Sequence, residues 1–139
     1  MDLGKKYLTV NVNHPFAGRI TLHAKTPLND EIIKYKHSGA KVLRSSFGKL
    51  TKDEEKKLFT AKAKIGQSLL LGIEPPVQKN GEFKNGLSMN GKPVFCNPDT
   101  GECYPSDWKE QMWQAGLQVV FEAVADKLCG AVFAISDIE

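Results

Sequence analysis

The longest regular hydrophobic pattern in the chain covers Ser106–Leu128 and predicts an amphipathic helix, with Ser106 as its N-cap and Gly130 as its stop signal. A helix that is apolar on two sides must be covered twice. We therefore expect one side to pack on this chain's own sheet and the other on a second helix or a second copy. At about 100° per residue, one apolar stripe holds Trp113, Leu117, Val120, Phe121, Val124 and Leu128, and the opposite stripe holds Trp108, Met112, Ala115, Val119 and Ala123.

Alternating apolar and polar positions predict an N-terminal β-hairpin with strands at Tyr7–Asn13 and Phe16–Lys25. A short helix is expected at Asp30–His37, before the break at Ser38 and Gly39. The run Lys41–Phe47 then predicts a third strand.

A second helix is expected from Lys52 to about Leu70. Thr51 and Glu54 match a capping box, in which each side chain bonds the other's backbone N–H. The two prolines that follow Glu74 end any helix. The apolar positions of this helix form a single stripe, namely Leu58, Ala61, Ile65 and Leu69.

The segment that follows is rich in turns. Three Asn–Gly pairs lie at 80–81, 85–86 and 90–91, and each favours a tight hairpin turn. Val94–Tyr104 predicts a central hairpin around a four-residue loop, in a register that places Cys96 opposite Cys103. Ala131–Ile135 predicts a short C-terminal strand.

These elements predict an α+β fold with a small antiparallel sheet packed on two longer helices. The sheet would contain the N-terminal hairpin, the third strand, the central hairpin and the C-terminal strand. A length of 139 residues suits a single domain. Within it the sequence divides into a basic half at 1–72, the turn-rich segment at 73–105, and the long helix with the terminal strand at 106–139.

Charge is distributed unevenly along the chain, although the net charge is only +3. Residues 1–72 carry 14 Lys and Arg against 6 Asp and Glu, whereas residues 73–139 carry 5 against 10. A basic half is compatible with a polyanion such as nucleic acid, or with the acidic half of a neighbouring copy. The alternative is that the two sets of charges interleave in space.

A polyanion-binding surface would combine basic side chains with aromatic rings, which is how proteins grip single-stranded nucleic acid. Of the 19 basic residues, 17 are Lys, which favours non-specific electrostatics over base readout by Arg. The aromatic residues interleaved with the basic ones are Phe16, Tyr35 and Phe47. The predicted polyanion-binding residues are Arg19, Lys25, Lys41, Arg44 and Lys56.

The three cysteines leave their state open. Cys96 and Cys103 can remain reduced thiols, which we favour, or form a cross-strand disulfide. They could also supply half of a metal site, but the sequence contains no second closely spaced Cys or His pair, so no metal site is predicted. The leftover Cys129 argues against the disulfide framework of a secreted protein.

Motifs of common enzyme classes are missing from the sequence. It contains no phosphate-binding GxxxxGK[ST] or GxGxxG, and no nucleophile elbow, so we predict no cofactor and lean against catalysis. His23, on a strand flanked by Arg19, is the best single candidate for acid–base chemistry. Catalytic groups brought together from distant positions would remain hidden at this level.

The sequence therefore predicts a small non-catalytic binding protein, of an accessory or inhibitor type, that self-associates through the long C-terminal helix. Its interface residues would be Trp108, Met112, Ala115 and Val119, with Trp108 and Met112 as exposed anchors. The alternatives are a single-stranded nucleic-acid-binding protein that uses the basic N-terminal half and an enzyme of an unrecognised class. No apolar run approaches the roughly 20 residues that span a bilayer, and no secretory signal is visible, so a cytoplasmic location without a membrane partner is expected.

Overall fold

The computed structural model describes residues 4, 6–46 and 51–138, and the side chains of residues 4, 6–38 and 51–130. The chain forms two compact units, each assembled from two separate segments. Met1–Thr26 and Leu70–Leu117 form one, which we call the sheet unit, and Pro27–Leu69 and Gln118–Glu139 form the other, the helical unit.

The fold is α+β, as predicted, with an antiparallel sheet and several helices. In chain order the elements are β1 (Leu8–His14), β2 (Gly18–Ala24), α1 (Asn29–Ser46), α2 (Lys52–Leu69), β3 (Leu70–Ile73), β4 (Val77–Lys79), β5 (Glu82–Lys84), β6 (Ser88–Met89), β7 (Lys92–Pro93), β8 (Phe95–Cys96), β9 (Cys103–Tyr104), α3 (Trp108–Gln114) and α4 (Gln118–Ile138).

The main sheet of the sheet unit has the strand order β1-β2-β3-β8-β9, and neighbouring strands are antiparallel. The predicted N-terminal hairpin is confirmed, since β1 pairs with β2 along its full length. Alternate side chains of this hairpin point to a buried face, as the period of two requires. The buried residues of the main sheet are Val10, Val12, Ile20, Leu22, Ala24, Leu70, Ile73 and Cys96.

The other face of the hairpin is polar. Thr9 pairs with His23 and Asn11 pairs with Thr21 across the two strands, and the Thr21 hydroxyl donates to the Asn11 amide oxygen over 2.7 Å. Such cross-strand pairs stabilise an exposed sheet surface and fix its side chains. His23 therefore lies on the face that is not buried in the hydrophobic core.

Two small hairpins follow the main-sheet strand β3, and both turn at predicted Asn–Gly pairs. Asn80 and Asn90 have φ of 53° and 54°, and the glycines after them also have positive φ, as this turn class requires. The remaining pair is used differently. The Asn85 amide oxygen accepts the Arg19 backbone N–H over 3.1 Å and so ties this segment to β2.

The helix predicted at Ser106–Leu128 is two helices, α3 and α4, because the chain turns at Gly116 (φ 83°). The N–H of Gly116 donates to the carbonyl of Trp113, and that of Leu117 donates to Met112, which is the Schellman pattern that ends a helix. The N-cap of α3 is Asp107 rather than Ser106. Gly130 does not stop α4, which continues to Ile138.

In the helical unit, α2 begins as predicted at a capping box. The Glu54 N–H donates to the Thr51 hydroxyl over 3.2 Å, and the Thr51 N–H donates to the Glu54 carboxylate over 3.4 Å. The same unit packs α2 against α4 and places α1 in contact with both. Its fully buried side chains include Ala63, Leu69, Val120, Phe121, Val124, Ala125 and Cys129.

Two predicted strands are helical in the structure. Residues 41–46 belong to α1, and residues 131–135 belong to α4, while Phe47 lies outside the described residues. A short apolar run is compatible with a strand and with a buried turn of helix, and continuity with the preceding helix decides here. Ser38 is accommodated within α1 because its hydroxyl donates to the Lys34 carbonyl over 2.9 Å.

A polar contact links the helices of this unit. The Tyr35 hydroxyl of α1 donates to the Asp126 carboxylate of α4 over 2.6 Å, and the Lys62 ammonium of α2 lies 3.2 Å from the same oxygen. Lys62 also lies 5.3 Å from the centre of the Tyr35 ring. One carboxylate therefore holds side chains from two other helices.

Within the described residues, none of the helices combines the length and the apolar character needed to cross a membrane.

Candidate functional site

A cleft of about 420 Å³ opens on the sheet unit, and several polar side chains converge on it. We call it the Tyr7 cleft. Tyr7 precedes β1, His23 lies on β2, Glu74 follows β3, and the loop between β8 and β9 forms the far wall. Its lining residues are Tyr7, His23, Ile73, Glu74, Pro75, Phe95, Cys96, Asn97, Pro98, Asp99 and Glu102.

His23 is held by neighbours on both sides of its ring. Its Nδ1 atom lies 3.4 Å from the Thr9 hydroxyl, and its Nε2 atom lies 3.7 Å from a Glu74 carboxylate oxygen. The ring also packs at a tilt against the Tyr7 ring, with the centres 4.9 Å apart. Only 12% of the His23 side chain is exposed, so its orientation is set by this chain.

Tyr7 connects the start of β1 to the β8–β9 loop. Its hydroxyl donates to the Asp99 carboxylate over 3.1 Å. This hydrogen bond, followed by desolvation and the negative charges of Asp99 and Glu74, raises the pKa of Tyr7 above its usual value. Tyr7 is therefore a neutral donor at physiological pH, and it spans the cleft from one wall to the other.

The loop that carries Asp99 is closed by its own hydrogen bonds. The Asn97 side-chain oxygen accepts the N–H of Asp99 over 2.9 Å, and the Gly101 N–H donates to the Asn97 carbonyl over 2.8 Å. The Asn97 N–H donates to the Glu102 carbonyl over 2.9 Å, which closes the predicted four-residue loop between them. The local sequence thus fixes the backbone that carries Asp99 and Glu102.

A disulfide joins Cys96 and Cys103 at the base of this loop. The predicted register is confirmed, since the two residues face each other across β8 and β9. Of the states left open by the sequence, the structure shows the disulfide rather than the reduced thiols that we favour from the sequence. The bond closes the six residues between the cysteines into a ring.

Gly72, on β3, lies close to the chain at Cys96 and Pro98, where the β8–β9 loop begins. It pairs with His23 across β2 and β3, and a β-carbon there would lie 2.9 Å from Pro98 Cδ and 2.5 Å from the Cys96 carbonyl oxygen. The absence of a side chain at Gly72 therefore lets the loop approach the sheet closely.

Chemically, the Tyr7 cleft offers carboxylates and aromatic faces. Glu74, Asp99 and Glu102 contribute the acidic groups, while Tyr7 and Phe95 contribute the rings. The lining includes no Lys or Arg. An adjoining concavity of about 580 Å³ shares Tyr7, His23, Pro98 and Asp99, and it is there that Lys6 lies.

Three of the four predicted interface residues line a separate apolar pocket of about 230 Å³ in the sheet unit. They are Trp108, Met112 and Ala115, and they lie with Met89 and Leu117, among others. Trp108 and Met112 are only 4% and 3% exposed, so they are not the exposed anchors that the sequence predicts. The reason is that α3 ends at Gly116 and packs as a separate short helix. Val119, on α4, is 48% exposed.

The predicted polyanion-binding residues do not share one sheet face. Arg19 lies on β2 and Lys25 directly after it, whereas Lys56 is exposed on α2 in the helical unit. Lys41 and Arg44 lie on α1, and their side chains are outside the described residues. Of the aromatic partners, Tyr35 is on α1 and bonded to Asp126, while Phe16 is 95% exposed at the tip of the β1–β2 hairpin.

The uneven charge along the sequence is not an uneven charge between the two units. By sequence, the sheet unit carries 8 Lys and Arg against 7 Asp and Glu, and the helical unit carries 11 against 9. Each unit combines a segment from the basic half with a segment from the acidic half, so neither half of the sequence forms a unit of its own.

Of the residues that line the Tyr7 cleft, the sequence singles out His23 as a candidate for acid–base chemistry and Cys96 as a candidate for a disulfide or a metal ligand. Tyr7 appears there only as a strand residue and Asp99 only as a turn residue. The alternation along the predicted first strand does place Tyr7 and Thr9 on one face, and that signal could have indicated Tyr7 as a neighbour of the His23 surroundings. The approach of Asp99 to Tyr7, 92 positions away, is a tertiary relationship that no local pattern carries.

Among the described residues, no three His, Cys, Asp or Glu side chains are arranged to hold a metal ion. Comparisons of the chain with protein-family models, with curated proteins and with solved structures find no match.

Proposed function

We propose that this chain is a small non-catalytic binding protein and that the Tyr7 cleft is where it holds its partner. The observation that carries the proposal is the 3.1 Å hydrogen bond from Tyr7 to Asp99, which fixes groups from two walls of the cleft before any ligand arrives. A site whose side chains are already ordered loses less conformational entropy on binding. Its volume also falls within the usual range of ligand pockets.

His23 forms a fixed part of the wall of the cleft. Both ring nitrogens face side chains of this chain, Thr9 on one side and Glu74 on the other. These neighbours hold the ring in one orientation, so a bound partner can contact it as a rigid wall, with Glu74 beside it as a polar contact.

The test begins with capture of the partner on the immobilised full chain and its identification by mass spectrometry. The affinity of the purified partner for the protein is then measured. We expect Glu102→Lys, which reverses a charge in the cleft, to weaken binding at least about tenfold. The matched control is Glu82→Lys, an exposed glutamate of the same unit that does not line the cleft. It should leave the affinity unchanged.

Two results would overturn the proposal. If Glu102→Lys and Glu82→Lys bind the partner as well as the wild type does, the cleft is not the binding site. If the partner or a small molecule bound with it is chemically altered in the presence of the protein, and His23→Ala prevents this, the protein is an enzyme instead.

Nucleic-acid binding remains a second candidate because of the β1–β2 hairpin. Phe16 is almost fully exposed at its tip, and Arg19 is exposed on the strand that follows. An exposed ring beside a cation can stack on an unpaired base and contact its phosphate. A labelled single strand should then bind with an affinity that falls steeply with salt, and Phe16→Ala with Arg19→Ala should abolish binding. Binding that survives both changes would exclude this hairpin.

A further inference from the structure

We infer that the group received by the Tyr7 cleft is a cation, an alkylammonium or a guanidinium, presented by a Lys or Arg side chain of a protein partner. The inference rests on the proposed function and names the chemistry of the ligand at the same site. It is carried by three features of the cleft, which are its charge, its rings and its dimensions.

The charged side chains that line the cleft are three carboxylates and no basic group other than the His23 imidazole. Glu74 follows β3 with its side chain 55% exposed, while Asp99 and Glu102 lie on the disulfide-closed loop. Like charges around one concavity repel each other, and a cation between them relieves that repulsion. An anionic ligand would be repelled by the same three carboxylates.

Hydrogen-bonding capacity remains for such a ligand. A carboxylate accepts at both oxygens and more than once at each, so Asp99 can accept from Tyr7 and from a ligand together. Glu102 is exposed and lines the cleft. Hydrogen bonds between a carboxylate and a charged donor are among the stronger ones in proteins.

Aromatic faces complete the environment that cations favour. Tyr7 and Phe95 are half-buried and line the cleft, and the tilted contact between Tyr7 and His23 sets the angle of the Tyr7 ring. Ring faces attract an ammonium or a guanidinium, while Ile73, Pro75 and Pro98 can pack along an aliphatic stem. A long basic side chain has both parts.

The dimensions favour a side chain over a larger ligand. About 420 Å³ accommodates one extended Lys or Arg with some water, but not a folded segment. The closed loop and the prolines on two sides limit how far the walls can separate. The ligand is then either a protein side chain that enters end-on or a free amine of similar size; we assign the former, and the experiment below compares the two.

The experiment is a titration of the full-length 15N-labelled protein with blocked amino acids, followed by NMR. The probes are the N-acetyl amides of lysine and arginine, with the norleucine derivative as the uncharged match for lysine and the glutamate derivative as the opposite charge. We expect the basic probes to shift the amides of Tyr7, His23, Gly72 and the 97–102 loop, and the other two probes to leave them in place.

Variants of Glu74 and Glu102 then test whether binding of the basic probes depends on the charge of these residues. Glu74→Gln combined with Glu102→Gln should weaken binding of the basic probes at least about fivefold, because both changes keep the shape and remove charge. Glu82→Gln is the matched control and should bind as the wild type does. Equal binding of norleucine and lysine, preferential binding of glutamate, or no shift in the cleft with any probe would each overturn the inference.

A further arm separates the sources of the cation. n-Butylamine, a free amine with the same single charge as a lysine side chain, should bind no more tightly than a blocked tripeptide with one Lys if the natural ligand is a protein side chain, and markedly tighter binding of n-butylamine would overturn that assignment. The proposed function fails separately. If the captured partner still depends on Glu102 but the basic probes do not bind, the chemistry assigned to the ligand is wrong and the binding site stands.

Discussion

Gly66 of α2 lies directly against the backbone of Phe121 in α4, so close that a β-carbon at Gly66 would overlap the Phe121 carbonyl oxygen. Both residues are buried in the helical unit. From sequence alone, a glycine in the middle of a helical pattern indicates weakness or a kink. In the structure α2 continues through it, and the missing side chain allows two helices to approach closely.

Gly66→Ala should therefore destabilise the protein by about 3 kcal/mol or more, because the added methyl group forces α2 and α4 apart. Gly130→Ala in α4 is the matched control. Its β-carbon would lie 3.5 Å from the Tyr35 hydroxyl, an ordinary contact, so helix propensity should make it neutral or stabilising by about 0.5–1 kcal/mol. Urea unfolding of both variants checks this, and similar stabilities for the two would contradict it.

The number of thiols that react should depend on whether the protein is folded and whether its disulfide is intact. Cys129 is fully buried, and desolvation followed by the charges of Glu31 and Asp126 raises its pKa to about 11. We expect no reaction of the folded protein with a thiol reagent at pH 8, one thiol per chain after unfolding, and three after unfolding with reductant. Three thiols without reductant would show that Cys96 and Cys103 are not joined.

Reduction of the disulfide should lower the free energy of unfolding by about 2–3 kcal/mol, the entropy of closing so short a loop in the unfolded chain. It should also weaken binding at the Tyr7 cleft, since Asp99 and Glu102 lie within the closed loop. Cys103→Ser is the control, because added reductant should not change its stability further. Equal stability of the oxidised and reduced wild type would refute this expectation.

Tyr35 should make the protein sensitive to alkali. Burial and the hydrogen bond to Asp126 raise the pKa of Tyr35 well above its usual range. In the unfolded chain it ionises near pH 10. The stability that its neutral hydroxyl contributes is therefore complete below about pH 10 and is lost as the pH rises further towards the folded-state value.

Tyr35→Phe removes this contribution and should cost about 1–2 kcal/mol at pH 8. The difference in the free energy of unfolding between wild type and variant should narrow as the pH rises from about 10 to 12, as measured by urea unfolding at each pH. The Asp126 carboxylate keeps its Lys62 partner in the variant, so no charge is left alone. A difference that stays constant over this range would contradict the assignment.

Self-association through the C-terminal helices is best tested at Val119. Trp108 and Met112 are buried, so truncating them would perturb the fold of the sheet unit as well as any interface. Val119→Lys changes an exposed position instead. If the protein self-associates, light scattering should give a multiple of 15.4 kDa for the wild type at low and high salt and a lower mass for the variant. A monomeric mass for the wild type would contradict the prediction of self-association.

Local chemistry made several elements predictable. Asn80–Gly81 and Asn90–Gly91 turn two hairpins, and the Thr51 capping box begins α2, because each depends on neighbours within a few positions. The break at Gly116 escapes the hydrophobic pattern, since apolar residues keep helical spacing on both sides of it. A glycine followed by an apolar residue is a known signal for a helix end, but here it competes with an uninterrupted stripe.

The site was less predictable than the fold. His23 stands out by residue type, yet its neighbours are Thr9 on β1 and Glu74 directly after β3. Asp99 approaches Tyr7 only because β8 and β9 join the sheet beside β3. Strand order determines which side chains meet. That order depends on the pairing of distant segments and leaves no periodic mark in the sequence.

The two-segment construction of each unit has a consequence for synthesis on the ribosome. The first 69 residues contain the β1–β2 hairpin and two helices, but neither unit is complete at that stage. The sheet unit has all its strands once residue 104 has emerged, whereas Gly66 and its helix must wait for Phe121. During synthesis the N-terminal hairpin and α2 therefore leave the ribosome before the segments they pack against. The sheet unit can complete its folding before the helical unit does.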